Sequence, residues 1–162
     1  MNIFISDIDP VKSAINLDDK RVNKMILESA QMLCTALHLN NASHLAKYKT
    51  THANHPSNVW VREGRENYNW LLQHMKALSD EYTYRTGKVH KTYNELYIDL
   101  VAGSNHIPEK LLTPFANCAA RQDMGINYKH LDDVPMAYRL YLIDRWERDK
   151  LVPKWTNRSR PF

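Results

Sequence analysis

The chain has little glycine, little cysteine and no long apolar run. Only four glycines occur in 162 residues. Neither a P-loop nor a glycine-rich dinucleotide turn is present, and the Gly-x-Ser-x-Gly elbow of serine hydrolases is also missing. The two cysteines, Cys34 and Cys118, lie far apart and fit no metal-ligand spacing. Two unpaired core thiols suit a reduced, cytoplasmic protein. The eight histidines are scattered, so no zinc site and no cofactor is expected. No apolar stretch approaches the ~18 residues that cross a bilayer, so no membrane partner is expected. The start, Met1-Asn2-Ile3-Phe4-Ile5-Ser6-Asp7, lacks the basic segment and small-residue cleavage site of a secretion signal. His90-Lys91-Thr92 supplies one half of a two-histidine phosphoesterase pattern. The second half is absent, and that chemistry is set aside.

What remains is ordinary globular composition, 43% apolar and 25% charged, in a chain of one-domain length. The expected fold is all-α: a single compact helical domain over 1–162, with about five helices and a basic, aromatic tail over 150–162. Residues 2–6 are a short apolar start with a possible extended form. Asp9-Pro10 opens a short helix, Asp as N-cap and Pro in the first turn. A long helix follows over about 18–39. A third is expected from about Ser57 to the turn at Gly87, whose position fits a left-handed cap. A fourth covers 92–102 and stops at Gly103. Residues 103–131 read as irregular, and a last helix covers about 134–149.

The long helix has two faces. Val22, Met25, Ile26, Ser29, Leu33 and Leu37 recur at helical spacing and form a buried stripe. Lys24, Glu28, Gln31 and Thr35 form a second stripe, with Arg21 one turn earlier. A basic, acidic and amide row beside a buried face suits a site on a rigid helix. It equally suits a solvated face carrying an ordinary i,i+4 pair. His55 stands just before the helix start at Pro56, where free backbone amides attract anions. The alternative is that His55 caps that helix. Arg85, Lys88 and His90 end the third helix, where cations are stabilising in themselves and could also meet phosphate.

Net charge is +4, and its placement is informative. From Lys150 onward there are four basic residues, Lys150, Lys154, Arg158 and Arg160, and no acidic one. Residues 1–149 therefore sum to about zero. With Trp155 and Phe162 interleaved, the tail suits phosphate contact plus base stacking, through Lys154, Trp155 and Arg158. A solubilising, loosely packed terminus would have the same composition.

Taken in order, these pieces resemble the small helical pyrimidine dimer DNA glycosylases of the phage endonuclease V type. The resemblance is carried by Leu17-Asp18-x-Lys20-Arg21-x-x-Lys24-x-x-x-Glu28-x-x-Gln31. It continues in His55-Pro56 before Trp60, in Glu81-Tyr82-Thr83-x-Arg85, and in Asp133-Val134-Pro135-x-x-Tyr138-Arg139-x-Tyr141. Lys154-Trp155 in the tail completes it. The family implies an amine that attacks the sugar C1′ of a damaged nucleotide, then strand cleavage through a Schiff base. It also implies a carboxylate, here Glu28, that stabilises developing positive charge. Arg21 and Lys24 would orient phosphate, and duplex DNA would be the partner. The family's amine belongs to a small N-terminal residue exposed by Met removal. Here Asn2 follows Met1, so the candidate is the Met1 amine, with Lys20 or Lys24 as substitutes. Two rival functions stand beside this one: a DNA base-modifying or nucleotide-acting enzyme, and a non-catalytic nucleic-acid-binding protein.

Overall fold

A computed structural model describes residues 1–162 as six α-helices and one minimal hairpin. Helix α1 covers Pro10–Ile15, with Asp9 accepting from the amides of Val11 and Lys12. Helix α2 covers Asp19–Leu39 and is capped by Asp18. Helices α3 (Pro56–Glu63) and α4 (Arg65–Thr86) follow, then α5 (Lys91–Gly103) and α6 (Val134–Arg148). No helix is long and apolar enough to cross a membrane.

Local signals placed most of these boundaries. Asp9-Pro10 and Asp133-Val134-Pro135 act as helix starts, and Gly87 closes α4 at φ 73° with its amide donating to Thr83. The expected third helix is two helices. Its break falls at Gly64, where an added Cβ would come within 2.7 Å of the Lys110 Cβ. The segment 108–110 runs across this point. The Pro108 and Lys110 carbonyls accept from the first amides of α4, at 2.8 and 3.3 Å. These tertiary contacts replace the local bonds that would have continued one helix.

Residues 2–6 pair with no strand. The only ladder joins β1 (Ala120–Arg121) to β2 (Ile126–Asn127), antiparallel, inside the stretch expected to be irregular. All six members of the apolar stripe of α2 are buried. Helix α2 is the central element, flanked by α3, α4 and α5. The start of the chain and α6 pack on the same core, through Ile3, Ile5, Tyr138 and Leu142. Burying a large apolar side chain contributes about 1.5–3 kcal/mol, so α2 carries much of the fold while leaving one edge free for polar side chains.

Candidate functional site

The free edge of α2 meets the first residues of the chain. Asn2 fixes that meeting. Its side-chain carbonyl accepts from the amides of Ile3 (2.8 Å) and Phe4 (3.4 Å) and from the Tyr138 hydroxyl (2.7 Å). Its side-chain amide donates to the Cys118 carbonyl at 3.4 Å. Phe4 adopts φ 62°, a left-handed conformation that costs a non-glycine residue about 1–3 kcal/mol. Packing offsets this: the Phe4 ring stacks on Tyr141 at 5.8 Å and meets the edge of Tyr138 at 6.2 Å. Ser13 Oγ also donates to the Phe4 carbonyl at 3.1 Å.

So held, the backbone amide of Asn2 donates to Glu28 Oε2 at 3.1 Å. The other oxygen of Glu28 lies 3.3 Å from Lys24 Nζ, and its side chain is only 13% exposed. Both belong to a cleft of about 340 Å³. Its walls include Met1 and Asn2, the α2 residues Lys20, Arg21, Lys24 and Glu28, Arg121 from the hairpin, and Tyr141 and Arg145 from α6. Five basic side chains line it with one carboxylate, and only Lys20 among them is in no ion pair: Lys24 pairs with Glu28, Arg121 with Asp123 at 2.9 Å, and Arg21 and Arg145 with Asp149 below. Glu28 is the one carboxylate on the cleft wall, and the exposed Lys20 and Lys24 are the cations there most open to an anion.

Beneath it lies a network of ions. Arg21 is buried and donates to Asp18 (2.8 Å), and it also pairs with Asp149 at 2.9 Å. Arg145 reaches the same Asp149 at 3.3 Å and donates to the Tyr141 hydroxyl at 3.1 Å. Trp146 Nε1 donates to Asp18 at 2.8 Å. Burial opposes both charges, but Asp18 and Asp149 outweigh it and raise the Arg21 pKa. Arg21 and Arg145 likewise hold Asp149 below the usual carboxylate range against its burial. Arg21 therefore forms the floor of the cleft, with both terminal nitrogens occupied inside the protein and the charges of Arg21 and Arg145 matched by Asp18 and Asp149.

His55 caps α3, its Nδ1 accepting from the Ser57 amide at 3.2 Å. That bond leaves the proton on Nε2. Burial, then the Met1 amine and His52, lower the His55 pKa, with Glu28 opposing. The ring is neutral at pH 7 and close enough to Met1 and Glu28 to feel both charges. Met1 is seated by its thioether, which accepts from Asn58 Nδ2 at 3.0 Å.

The family model for pyrimidine dimer DNA glycosylases matches residues 1–95. This chain belongs to that family. No curated protein and no solved structure matches it. The part matched to the pyrimidine dimer DNA glycosylases holds Met1, Asn2, Lys20, Arg21, Lys24, Glu28 and His55. Arg121, Tyr141 and Arg145 lie beyond it and complete the cleft from this chain's second half.

The other expected residues of this glycosylase family member fall elsewhere. Gln31 is half-buried outside the cleft, and its carbonyl accepts from the buried Thr35 hydroxyl at 2.9 Å. Arg85 is buried: it donates to the Leu17 and Ile15 carbonyls and pairs with Glu81 and Asp19. Lys88 is exposed, and His90 meets Asn23 at 3.0 Å, on the α4 side of α2. In the tail, Lys154 is exposed, Trp155 Nε1 donates to the Asn16 carbonyl at 3.1 Å, and Arg158 pairs with Glu81 at 2.9 Å. The tail is thus docked rather than loose. Sequence reasoning missed Arg121, Arg145 and the clamp made by Asn2. Arg145 had a local signal, since it follows Tyr141 by four residues on one face of α6 and precedes the cap residue Asp149 by four. Arg121 had none, because only the hairpin brings it to α2.

Proposed function

We propose that this chain is a DNA glycosylase/lyase acting at a damaged pyrimidine nucleotide in duplex DNA. Its nucleophile is the Met1 amine and its catalytic carboxylate is Glu28. One observation carries this reading: Glu28, nearly buried, is hydrogen-bonded to the amide of Asn2 in a cleft that Met1, Lys20 and Lys24 also line. A carboxylate tied to the first peptide bond lies one residue from the Met1 amine. α-Amines are far less basic as a class than lysine amines, which favours a terminal amine over Lys20 or Lys24 as nucleophile.

The amine lone pair forms a bond to C1′ as the glycosidic bond breaks, its electron pair leaving with the base. Loss of one amine proton to Glu28 and opening of the C1′–O4′ bond, with O4′ taking that proton as it becomes a hydroxyl, then give the Schiff base. Removal of a C2′ proton and cleavage of the C3′–O bond release the 3′ strand. Glu28 offsets the positive charge that grows on the sugar and accepts the amine proton. Neutral His55 supplies an N–H donor beside the amine. Lys20 and Lys24 hold phosphates, Arg121 joins them only by exchanging Asp123 for a phosphate, and Arg21 and Arg145 brace the floor.

The test is borohydride trapping on a duplex containing one thymine dimer, with undamaged duplex alongside. A covalent adduct that maps to Met1 is expected at the dimer. Glu28→Gln should lower turnover by about 10²–10³ or more while duplex binding persists, since loss of a fixed charge at the reacting centre costs that much. No adduct from folded protein would overturn the amine mechanism, and an adduct on Lys20 or Lys24 would reassign the nucleophile.

A further inference from the structure

The tail reverses the composition-based expectation for its apolar residues. Its aromatics turn inward: Trp155 meets the edge of Trp146 at 4.7 Å, and Phe162 stacks on Trp146 at 5.3 Å. Its aliphatics turn outward. Leu151 is 74% exposed and Val152 81%. These two are adjacent and sit on an arch pinned at both ends. At one end Asp149 is held by Arg21 and Arg145, both of which line the cleft. At the other, the Lys154 carbonyl accepts from the Asp19 amide at 2.8 Å. Between the arch and the start of α2 lies a hollow of about 530 Å³, and Lys20 lines both this hollow and the cleft.

Scattered exposed apolar side chains are ordinary, and Ile98 and Leu111 are exposed to the same degree. What sets Leu151 and Val152 apart is their place, adjacent on a pinned arch beside the cleft, and the charges around them. Lys20, Lys150 and Lys154 are exposed around the pair, and none is in an ion pair. Asp18, Asp19 and Asp149 line the same hollow, but they are engaged with Arg21, Arg85 and Arg145. An apolar tip ringed by free lysines matches a base stack flanked by phosphates. A protein surface would be expected to answer the lysines with carboxylates.

We propose that Leu151 and Val152 form an aliphatic wedge that enters the base stack of duplex DNA beside the cleft. It unstacks the step next to the nucleotide held over Glu28. The inference rests on the DNA-acting reading above and adds a positioning device to it. Enzymes that reach C1′ must first open the stack around their target. A rigid apolar pair reaching from the floor network of the cleft would hold that opening.

The experiment uses the full chain and a duplex bearing a tetrahydrofuran abasic analogue, which has no base to displace. A 2-aminopurine at the adjoining step reports unstacking by its fluorescence, and anisotropy reports affinity. Wild type should brighten the probe. The double variant Leu151→Ala/Val152→Ala changes exposed side chains only. It should lose most of that rise and roughly tenfold of its preference for the analogue over undamaged duplex, as wedge loss predicts. Its salt dependence should stay the same, since the phosphate contacts remain. Equal brightening in both proteins would overturn the wedge while leaving the DNA reading standing. A wild-type dimer in sedimentation velocity that the double variant abolishes would also overturn it, by assigning the pair to a second copy. Failure of wild type to bind either duplex would overturn the wedge and the DNA reading together.

Discussion

At the scale of single residues, the site depends on Asn2 more than on any charged group. Its side chain satisfies two backbone amides, a buried tyrosine hydroxyl and a carbonyl, and so places the amide that meets Glu28. Tyr138 closes this arrangement, donating to Asn2 and accepting from the Cys118 amide at 3.2 Å. Tyr138→Phe would leave the part-buried Cys118 amide without its acceptor and take one of three donors from Asn2 Oδ1. We expect a loss of about 1–3 kcal/mol in urea unfolding, the usual cost of orphaned buried polar groups. A larger relative loss in kcat than in duplex affinity should accompany it. Unchanged unfolding and kcat would show that Asn2 holds its place without the hydroxyl. Little of this was legible in sequence. Asn2 and Tyr138 are separated by most of the chain, and no spacing rule links them. Glu28 and Lys24 were legible because four residues along a helix is one turn. Arg85 shows the opposite case. A cation at a helix C-terminus reads as surface, but its partner Asp19 and the carbonyls it binds come from a distant stretch.

At the scale of elements, two glycines record close approaches that a pattern cannot show. Gly64 lets the segment at Lys110 cross the α3–α4 break. Gly103, expected as a stop signal, is the last residue of α5 at an ordinary right-handed φ of −63°. A Cβ there would lie 2.5 Å from Leu37 Cδ2 and 3.0 Å from the Tyr68 hydroxyl. Leu37 and Tyr68 are both fully buried, and Tyr68 donates to the Leu100 carbonyl at 2.7 Å. Gly103→Ala gains about 1 kcal/mol of helix propensity but overpacks the seam between α5 and α2, at about 1–3 kcal/mol. Net destabilisation is expected in thermal unfolding, and a raised Tm would mean that the seam gives way easily. Helix starts were readable because Asp and Pro act within one turn. The hairpin was not, because its strands carry no alternation long enough to register.

At the scale of the whole molecule, the buried titratable groups couple the fold to acid. His74 is fully buried, and desolvation pushes its pKa down to about 4. It is neutral in the folded protein but protonates below about 6.5 once unfolded. Its contribution is therefore complete above 6.5 and is lost as pH falls towards 4, at about 1.4 kcal/mol per pH unit. His55 and His90 are lowered too and act in the same direction. Asp19, Glu81 and Asp149 are also held below their ordinary values. Their contribution is present above the ordinary carboxylate range and is lost below it. Urea midpoints should fall steadily from pH 7 to 4, and His74→Gln should flatten the upper part of that fall. Parallel profiles for the two proteins would remove His74 from the account. Net charge, by contrast, was a poor guide to the shape of the tail: it located the cations, but not which apolar residues face out. The floor of the cleft has a further consequence, in the order of synthesis. Lys20, Arg21, Lys24 and Glu28 leave the ribosome together in α2, whereas Arg121 follows with the hairpin, and Arg145 and Asp149 come only with α6 and its cap. A nascent or truncated chain that stops before α6 thus carries the carboxylate and its α2 cations, but with Arg21 lacking Asp149 and the cleft lacking Arg145.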